Sequence, residues 1–122
     1  GMAFSPQIVT DLLRGKLGFQ GYVNSDTGII NSRAWGFEGK SVPERVAAAI
    51  NAGTDVLSGF NTKQTIIDLV AGGLVAQARV DDAVSRLLFE QFALGLFENP
   101  YVDAGQAAAI VGRDDFRTQA LD

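Results

Sequence analysis

Residues 21–26, Gly-Tyr-Val-Asn-Ser-Asp, and residues 54–59, Thr-Asp-Val-Leu-Ser-Gly, are the stretches that decide the fold. Each is a short run that favours β-structure, and glycine stands at or just before its start. A helical pattern separates the two runs. A strand, a helix and a second strand in that order predict a right-handed βαβ unit with parallel strands, which is typical of an α/β protein.

Helical patterns flank both predicted strands, and each begins or ends at a capping or breaking residue. The first begins at Ser5-Pro6, the second at the capping box formed by Ser41 and Glu44, and the last is broken at Asn99-Pro100. The predicted helices cover residues 6–14, 41–53, 62–72 and 80–94, and two weak helical patches follow in residues 104–122. The long segment 27–40 is predicted to be a loop.

Two parallel strands alone do not make a stable sheet, because both edges and one face stay uncovered. A complete β/α barrel needs about 250 residues and eight strand–helix units, whereas this chain has 122 residues. We therefore expect the chain to be a slice of a larger α/β structure. Gly1, which precedes Met2, is interpreted as a scar of tag removal and is left out of the fold prediction.

The composition excludes several function classes. Cysteine and histidine are both absent, so thiolate chemistry, Ser-His-Asp triads and the usual zinc sites are excluded. A net charge of −4 without a basic stripe argues against binding to nucleic acid or to an anionic membrane. Asp81-Asp82 lacks further ligands at metal-binding spacing, so no metal is predicted. The compartment is not indicated.

Asp26 ends the first predicted strand, and Asp55 lies at the start of the second. Catalytic groups of β/α barrels lie at the C-terminal ends of strands, so Asp26 is a candidate nucleophile or base. The structural alternative for Asp26 is a loop-capping role through bonds to backbone amides. Asp55 lies at the end of the strands that is associated with stability, which favours a structural role.

The segment 27–40 holds the remaining candidates. Trp35 is the only tryptophan, and its ring could pack against a sugar or against the scaffold. Glu38 could approach Asp26, although a solvated loop carboxylate is the favoured interpretation. Gly39-Lys40-Ser41 is similar to the end of a phosphate-binding loop, but Ala34 stands where that loop needs glycine, which disfavours a phosphate-binding module.

An ordered set of short motifs resembles glycoside hydrolase family 3, the β-glucosidase family. The set covers nearly the whole chain, and its members have compatible spacing. They are Leu12-Leu13-Arg14-Gly15, Leu17-Gly18-Phe19, Gly21 to Asp26, Pro43-Glu44-Arg45, Ala52-Gly53-Thr54-Asp55, and Leu94 to Tyr101.

The resemblance implies a partial (β/α)8 barrel comprising its last two β/α units and flanking helices. Residues 1–103 correspond to the C-terminal part of the barrel, and residues 104–122 to a linker and the truncated start of an α/β sandwich domain. Asp26 is implied to be the catalytic nucleophile, although Thr27 replaces the Trp that usually follows it. We predict Ser25 and Trp35 as substrate-binding residues, with no cofactor.

The implied function is that of a fragment of a retaining β-glycosidase acting on a β-glucoside or oligosaccharide. Its acid/base group and most of its sugar contacts belong to other segments, so we expect the isolated chain to be inactive. The alternative is a non-catalytic half-barrel module that binds itself or a partner. Open strand edges predict a homo-oligomer in either case.

Overall fold

The computed structural model describes residues 1–121. These residues form two compact units, Gly1–Glu90 and a second one from Gln91 onward. The elements are a 3-10 helix (Met2–Phe4), a π-helix (Gln7–Lys16), and the α-helices α1 (Val42–Asn51), α2 (Lys63–Ala71), α3 (Gln77–Ala93), α4 (Ala104–Ile110) and α5 (Asp114–Leu121). None of these helices combines the length and apolar character that a membrane crossing requires.

The core of the first unit forms around one face of α1. Val46, Ala49 and Ile50 follow helical spacing and are buried, as the apolar pattern predicts. They share one cluster with residues from the 3-10 helix, the predicted loop, the second predicted strand, α2 and the segment after α2. Those residues are Phe4, Ile29, Ile30, Leu57, Leu69 and Val75. The loop between residues 27 and 40 is thus anchored by Ile29 and Ile30.

The prediction of two strands is wrong in extent. Within residues 1–121, a single parallel bridge between Asn24 and Val56 is all the β-pairing that forms. Three backbone bonds surround it: Ser25 N–H donates to Val56 at 2.9 Å, and the N–H groups of Asp55 and Val56 donate to Val23 at 2.9 and 3.1 Å. The parallel direction agrees with the prediction. Two strands without further partners make at best a marginally stable sheet, which accounts for the short pairing.

Three of the four predicted helices form close to their predicted bounds. The Glu44 carboxylate accepts bonds from the Ser41 backbone N–H and hydroxyl at 2.9 and 2.7 Å, which confirms the capping box. The α3 helix begins at Gln77, three residues before its predicted start, so Asp81-Asp82 lies inside the helix.

The first helix differs more from its prediction. It runs from Gln7 to Lys16 with the wider π-helical winding, and Gly15 lies inside it. Leu17 N–H closes the last turn on Leu12, five residues back. The predicted end at Arg14 is therefore two residues short, and the chain turns at Gly18, where φ is +69°.

The turn from α1 into the second bridge segment needs glycine. Gly53 has φ of +106°, and a Cβ atom there would lie 2.8 Å from Thr10 Oγ1 and 2.9 Å from Val9 Cγ1. The π-helix therefore packs directly on this turn. Thr10 also donates from its hydroxyl to the Ala52 carbonyl at 3.0 Å.

Two short helices make up residues 104–121, as predicted. Asp103 caps α4 by accepting a bond from Gly105 N–H at 2.9 Å, and Arg113, just before α5, pairs with Asp115 in the first turn of that helix. This hydrogen bonding raises the pKa of Arg113 and lowers that of Asp115. The assignment of residues 104–122 to a linker and an α/β sandwich domain stays a prediction.

Candidate active site

Asp26 lies two residues beyond the bridge, and its carboxylate is 54% exposed. Oδ1 accepts a bond from Thr27 N–H at 2.7 Å, and Oδ2 accepts one from Arg33 at 3.2 Å. Both oxygens therefore have donors, while half of the carboxylate surface faces solvent. A carboxylate with a defined orientation and an open approach is suited to attack a bound electrophile.

Ser25 lies beneath this carboxylate and is 6% exposed. Its hydroxyl accepts a bond from Ser58 N–H at 3.0 Å and donates to the Asp26 carbonyl at 3.1 Å. The side chain thus joins the two bridge segments immediately below Asp26. In the described chain Ser25 positions the backbone, and its role in binding substrate stays a prediction.

The Arg33 side chain reaches the Asp26 carboxylate because the backbone between them forms a tight turn that begins at Gly28. The Gly28 carbonyl accepts bonds from the N–H groups of Ser32 and Arg33, both at 2.9 Å. Gly28 itself has φ of +82° and donates its N–H to Ser58 at 3.0 Å. Sequence reasoning missed Arg33, because nothing in its spacing from Asp26 indicates that the intervening turn closes on the carboxylate.

Trp35 is 55% exposed and has φ of +28°, the one residue other than glycine with positive φ among residues 1–121. Buried Ala34 precedes Trp35, and the carbonyl of Trp35 itself accepts a bond from the Gly1 ammonium group. On the other side, Gly36 N–H donates to the Glu38 carboxylate at 2.8 Å. Hydrogen bonds from the N–H groups of Glu38 itself and of Gly36 lower the pKa of Glu38.

One pocket brings the three predicted site residues together. Ser25, Asp26 and Trp35 all line an open cavity of about 270 Å³ in the first unit. The remaining lining is mostly apolar, with Phe4, Val9 and Ile29 among its residues. Asp26 is the one carboxylate that lines it within residues 1–121. Glu38, the other carboxylate considered from the sequence, bonds to Gly36 instead.

Asp55 is separated from this pocket and belongs to the scaffold. Its carboxylate is fully buried and pairs with Arg14 at 2.5 Å, Arg79 at 2.8 Å and Arg86 at 3.0 Å. It also accepts a bond from Val23 N–H at 2.8 Å. This ion network fixes the start of the first bridge segment and thereby the direction in which the chain approaches Asp26.

Asp26, just past a parallel bridge and on an open pocket, has the position at which β/α barrels carry their catalytic groups. The profile of the glycosyl hydrolase family 3 N-terminal domain matches residues 1–89. The chain therefore belongs to glycosyl hydrolase family 3, which confirms the resemblance inferred from its motifs.

Curated relatives and solved structures agree with this assignment. β-Glucosidase C of Emericella nidulans is 44% identical over 95% of the chain. The solved β-glucosidase involved in saponin metabolism from intestinal bacteria is 32% identical over 95% of the chain, with a TM-score of 0.75. The Listeria innocua β-glucosidase solved with gluconolactone is 26% identical over 97%, with a TM-score of 0.79.

The chain spans about a fifth of the length of the curated relatives that it matches. For the solved structures the share is 16%. The activity of the full-length relatives is therefore assigned to this chain only as a proposal.

Proposed function

We propose that this chain is the nucleophile-bearing part of a retaining β-glycosidase, with Asp26 as the nucleophile. The observation that carries the proposal is the half-exposed Asp26 carboxylate, which opens on the pocket beside Trp35. Membership in the family supplies the reaction class, and the names of the relatives favour β-glucosides as substrates.

In this proposal an Asp26 carboxylate oxygen forms a bond to the anomeric carbon while the bond from that carbon to the leaving oxygen breaks. A second carboxyl group about 5–5.5 Å away gives its proton to the leaving oxygen. The same group then takes a proton from water, which adds to the anomeric carbon and releases Asp26. Trp35 offers an apolar face to the sugar ring.

The second carboxyl group belongs, in our proposal, to another part of a full-length enzyme. Within residues 1–121 the pocket holds one carboxylate, and retaining hydrolysis needs two. Acid–base assistance alone contributes about 10²–10⁴-fold. We therefore expect the isolated chain to show no turnover of 4-nitrophenyl β-glucoside above the uncatalysed rate.

A chimera tests the role of Asp26. The aligned segment of Emericella nidulans β-glucosidase C is replaced by this chain, and hydrolysis of 4-nitrophenyl β-glucoside is measured. Asp26→Asn should lower kcat by at least about 10³-fold, because it removes the attacking group. Asp82→Asn, which changes an exposed carboxylate on α3, is the matched control and should leave kcat unchanged.

A 2-deoxy-2-fluoro-β-glucoside identifies the attacked residue in the same chimera. Mass added to the peptide that contains Asp26 supports the proposal, because the probe is trapped as the covalent glycosyl ester. Full activity of Asp26→Asn, or label on another residue, would refute it.

We also propose that the isolated chain associates with itself, which is the second candidate function. Met2, Leu17, Leu74 and Phe89 are large apolar residues of the first unit that are largely exposed. Burying side chains of this size against another copy of the chain would be favourable. A role as a non-catalytic interaction module would follow if the chimera were inactive while the chain itself formed oligomers.

A further inference from the structure

Arg45 on α1 makes an unusual set of contacts with the Trp35 loop, which we define as residues 30–38. Its Nε donates to the Phe37 carbonyl at 3.0 Å. One terminal nitrogen donates to the Ile30 carbonyl at 2.8 Å, and the other donates to the Glu38 carbonyl at 2.8 Å. One guanidinium group therefore bonds to both ends of the loop.

The three carbonyls lie in an irregular segment, where the Phe37 carbonyl also accepts a bond from the Lys40 N–H at 3.0 Å. The Trp35 loop contains neither helix nor strand, so its carbonyls lack the regular partners that secondary structure supplies. A guanidinium group is planar, and its donors have fixed relative positions. Bonding three carbonyls to one such group therefore fixes the distances between them.

The helix that carries Arg45 is itself firmly placed. Its N-terminus is capped by Glu44, and Val46, the next residue after Arg45, has no exposed surface. The three hydrogen bonds of the guanidinium group therefore hold the Trp35 loop in a fixed place relative to α1.

Two residues of the candidate site lie between the bonded ends. Arg33 reaches Asp26, and Trp35 lines the pocket. Trp35 has a backbone conformation that L-residues rarely adopt, and such conformations persist only where the surroundings hold them. Arg45 bonds to the carbonyls of Phe37 and Glu38, just beyond Trp35, and Glu38 in turn bonds to Gly36.

We propose that Arg45 is a positioning residue of the active site: it holds the Trp35 loop so that Trp35 and Arg33 stand beside Asp26. Its catalytic meaning rests on the proposed function, whereas its effect on Trp35 does not. Lysine cannot replace it, because a single ammonium group cannot bond three separated carbonyls in one plane.

The isolated chain offers a direct readout, because Trp35 is its only tryptophan. In Arg45→Lys we expect higher acrylamide quenching and lower fluorescence anisotropy of Trp35, with an unchanged helical circular dichroism spectrum. Arg117→Lys, a change at an exposed arginine on α5, is the matched control and should leave both signals unchanged. Folded Arg45→Lys protein with the quenching and anisotropy of the original chain would overturn the proposal.

A second measurement needs no variant that might fail to fold. In ¹⁵N NMR spectra of the original chain, the Arg45 Nε–H should exchange with solvent more slowly than that of Arg117, because it donates to the Phe37 carbonyl. Exchange as fast as that of Arg117 would contradict the proposed contact.

The chimera separates this inference from the proposed function. If Asp26→Asn abolishes activity, Arg45→Lys should lower kcat/KM by about 10²-fold, the effect expected of a misplacement near 1 Å. Unchanged kcat/KM in Arg45→Lys would overturn the positioning role and leave the nucleophile assignment intact. If Asp26→Asn stays active while Trp35 is loosened in Arg45→Lys, the proposed function fails and the loop contact stands.

Discussion

Asp55 joins three parts of the first unit through one buried carboxylate. Arg14 comes from the π-helix, Arg79 and Arg86 come from α3, and the Val23 N–H comes from the first bridge segment. Burial lowers the pKa of Arg14, and the negative charge of Asp55 opposes that shift. The arginines are mostly buried and depend on this one carboxylate.

Asp55→Asn should destabilise the chain by about 3–5 kcal/mol, because it leaves buried guanidinium groups without their counter-charge. Urea unfolding followed by circular dichroism measures the change. Asp82→Asn makes the same chemical change at an exposed site and should stay within about 0.5 kcal/mol of the original chain. Equal stabilities of the two variants would show that the network contributes nothing to folding.

At the level of single residues, the sequence identified acids better than their partners. The structure leaves the Asp26 side chain half exposed and buries that of Asp55, while the catalytic role of Asp26 stays a prediction. Their arginine partners lie 7 to 41 residues away, at distances along the chain that no local pattern encodes. The contacts of Arg45 could not be predicted from the sequence either, because its acceptors are backbone carbonyls of an irregular loop.

At the level of elements, three of the four predicted helices form close to their predicted bounds, whereas the two predicted strands form only one bridge. Helix α1 carries its own start signal in Ser41 and Glu44 and its own apolar face, so local information suffices. A strand of a parallel sheet takes its hydrogen bonds from neighbouring segments. With one bridge between Asn24 and Val56, the described chain provides a single pair of such neighbours.

The start of α1 should depend on pH through Glu44. The Ser41 backbone N–H, then the Ser41 hydroxyl and Lys40, lower the pKa of Glu44 from 4.5 to about 2. A lowered pKa means that the folded chain binds this proton less readily than the unfolded chain. The stabilisation by Glu44 is therefore complete above about pH 4.5 and is lost as pH falls towards 2.

Glu44→Gln tests this dependence. The original chain should have a higher Tm than Glu44→Gln at pH 6, and the difference should shrink as pH falls below 4.5. Lys40→Gln is the companion variant and should keep most of the pH dependence, because the backbone bond from Ser41 is the largest cause of the shift. A Tm difference that stays constant from pH 6 to 3 would contradict the assignment.

At the level of the whole molecule, the chain corresponds to about a fifth of its curated relatives. The sequence motifs are enough to identify the family. The β-pairing within residues 1–121, by contrast, consists of one bridge. The details of a partial (β/α)8 barrel, with the last two β/α units, stay a prediction. The first unit exposes several large apolar side chains, and the proposed self-association rests on them.

Light scattering after size-exclusion chromatography should therefore give a dimer or a larger species at micromolar concentration. Leu17 and Phe89 are about 70% exposed, and burying such side chains between copies is favourable. Leu17→Ser combined with Phe89→Ser should lower the measured mass, whereas Tyr101→Ser, at an exposed aromatic residue of the second unit, should not. A monomeric mass for the original chain would exclude self-association and leave the assignment of Asp26 unaffected, because that assignment rests on the pocket and on family membership, neither of which requires a second copy.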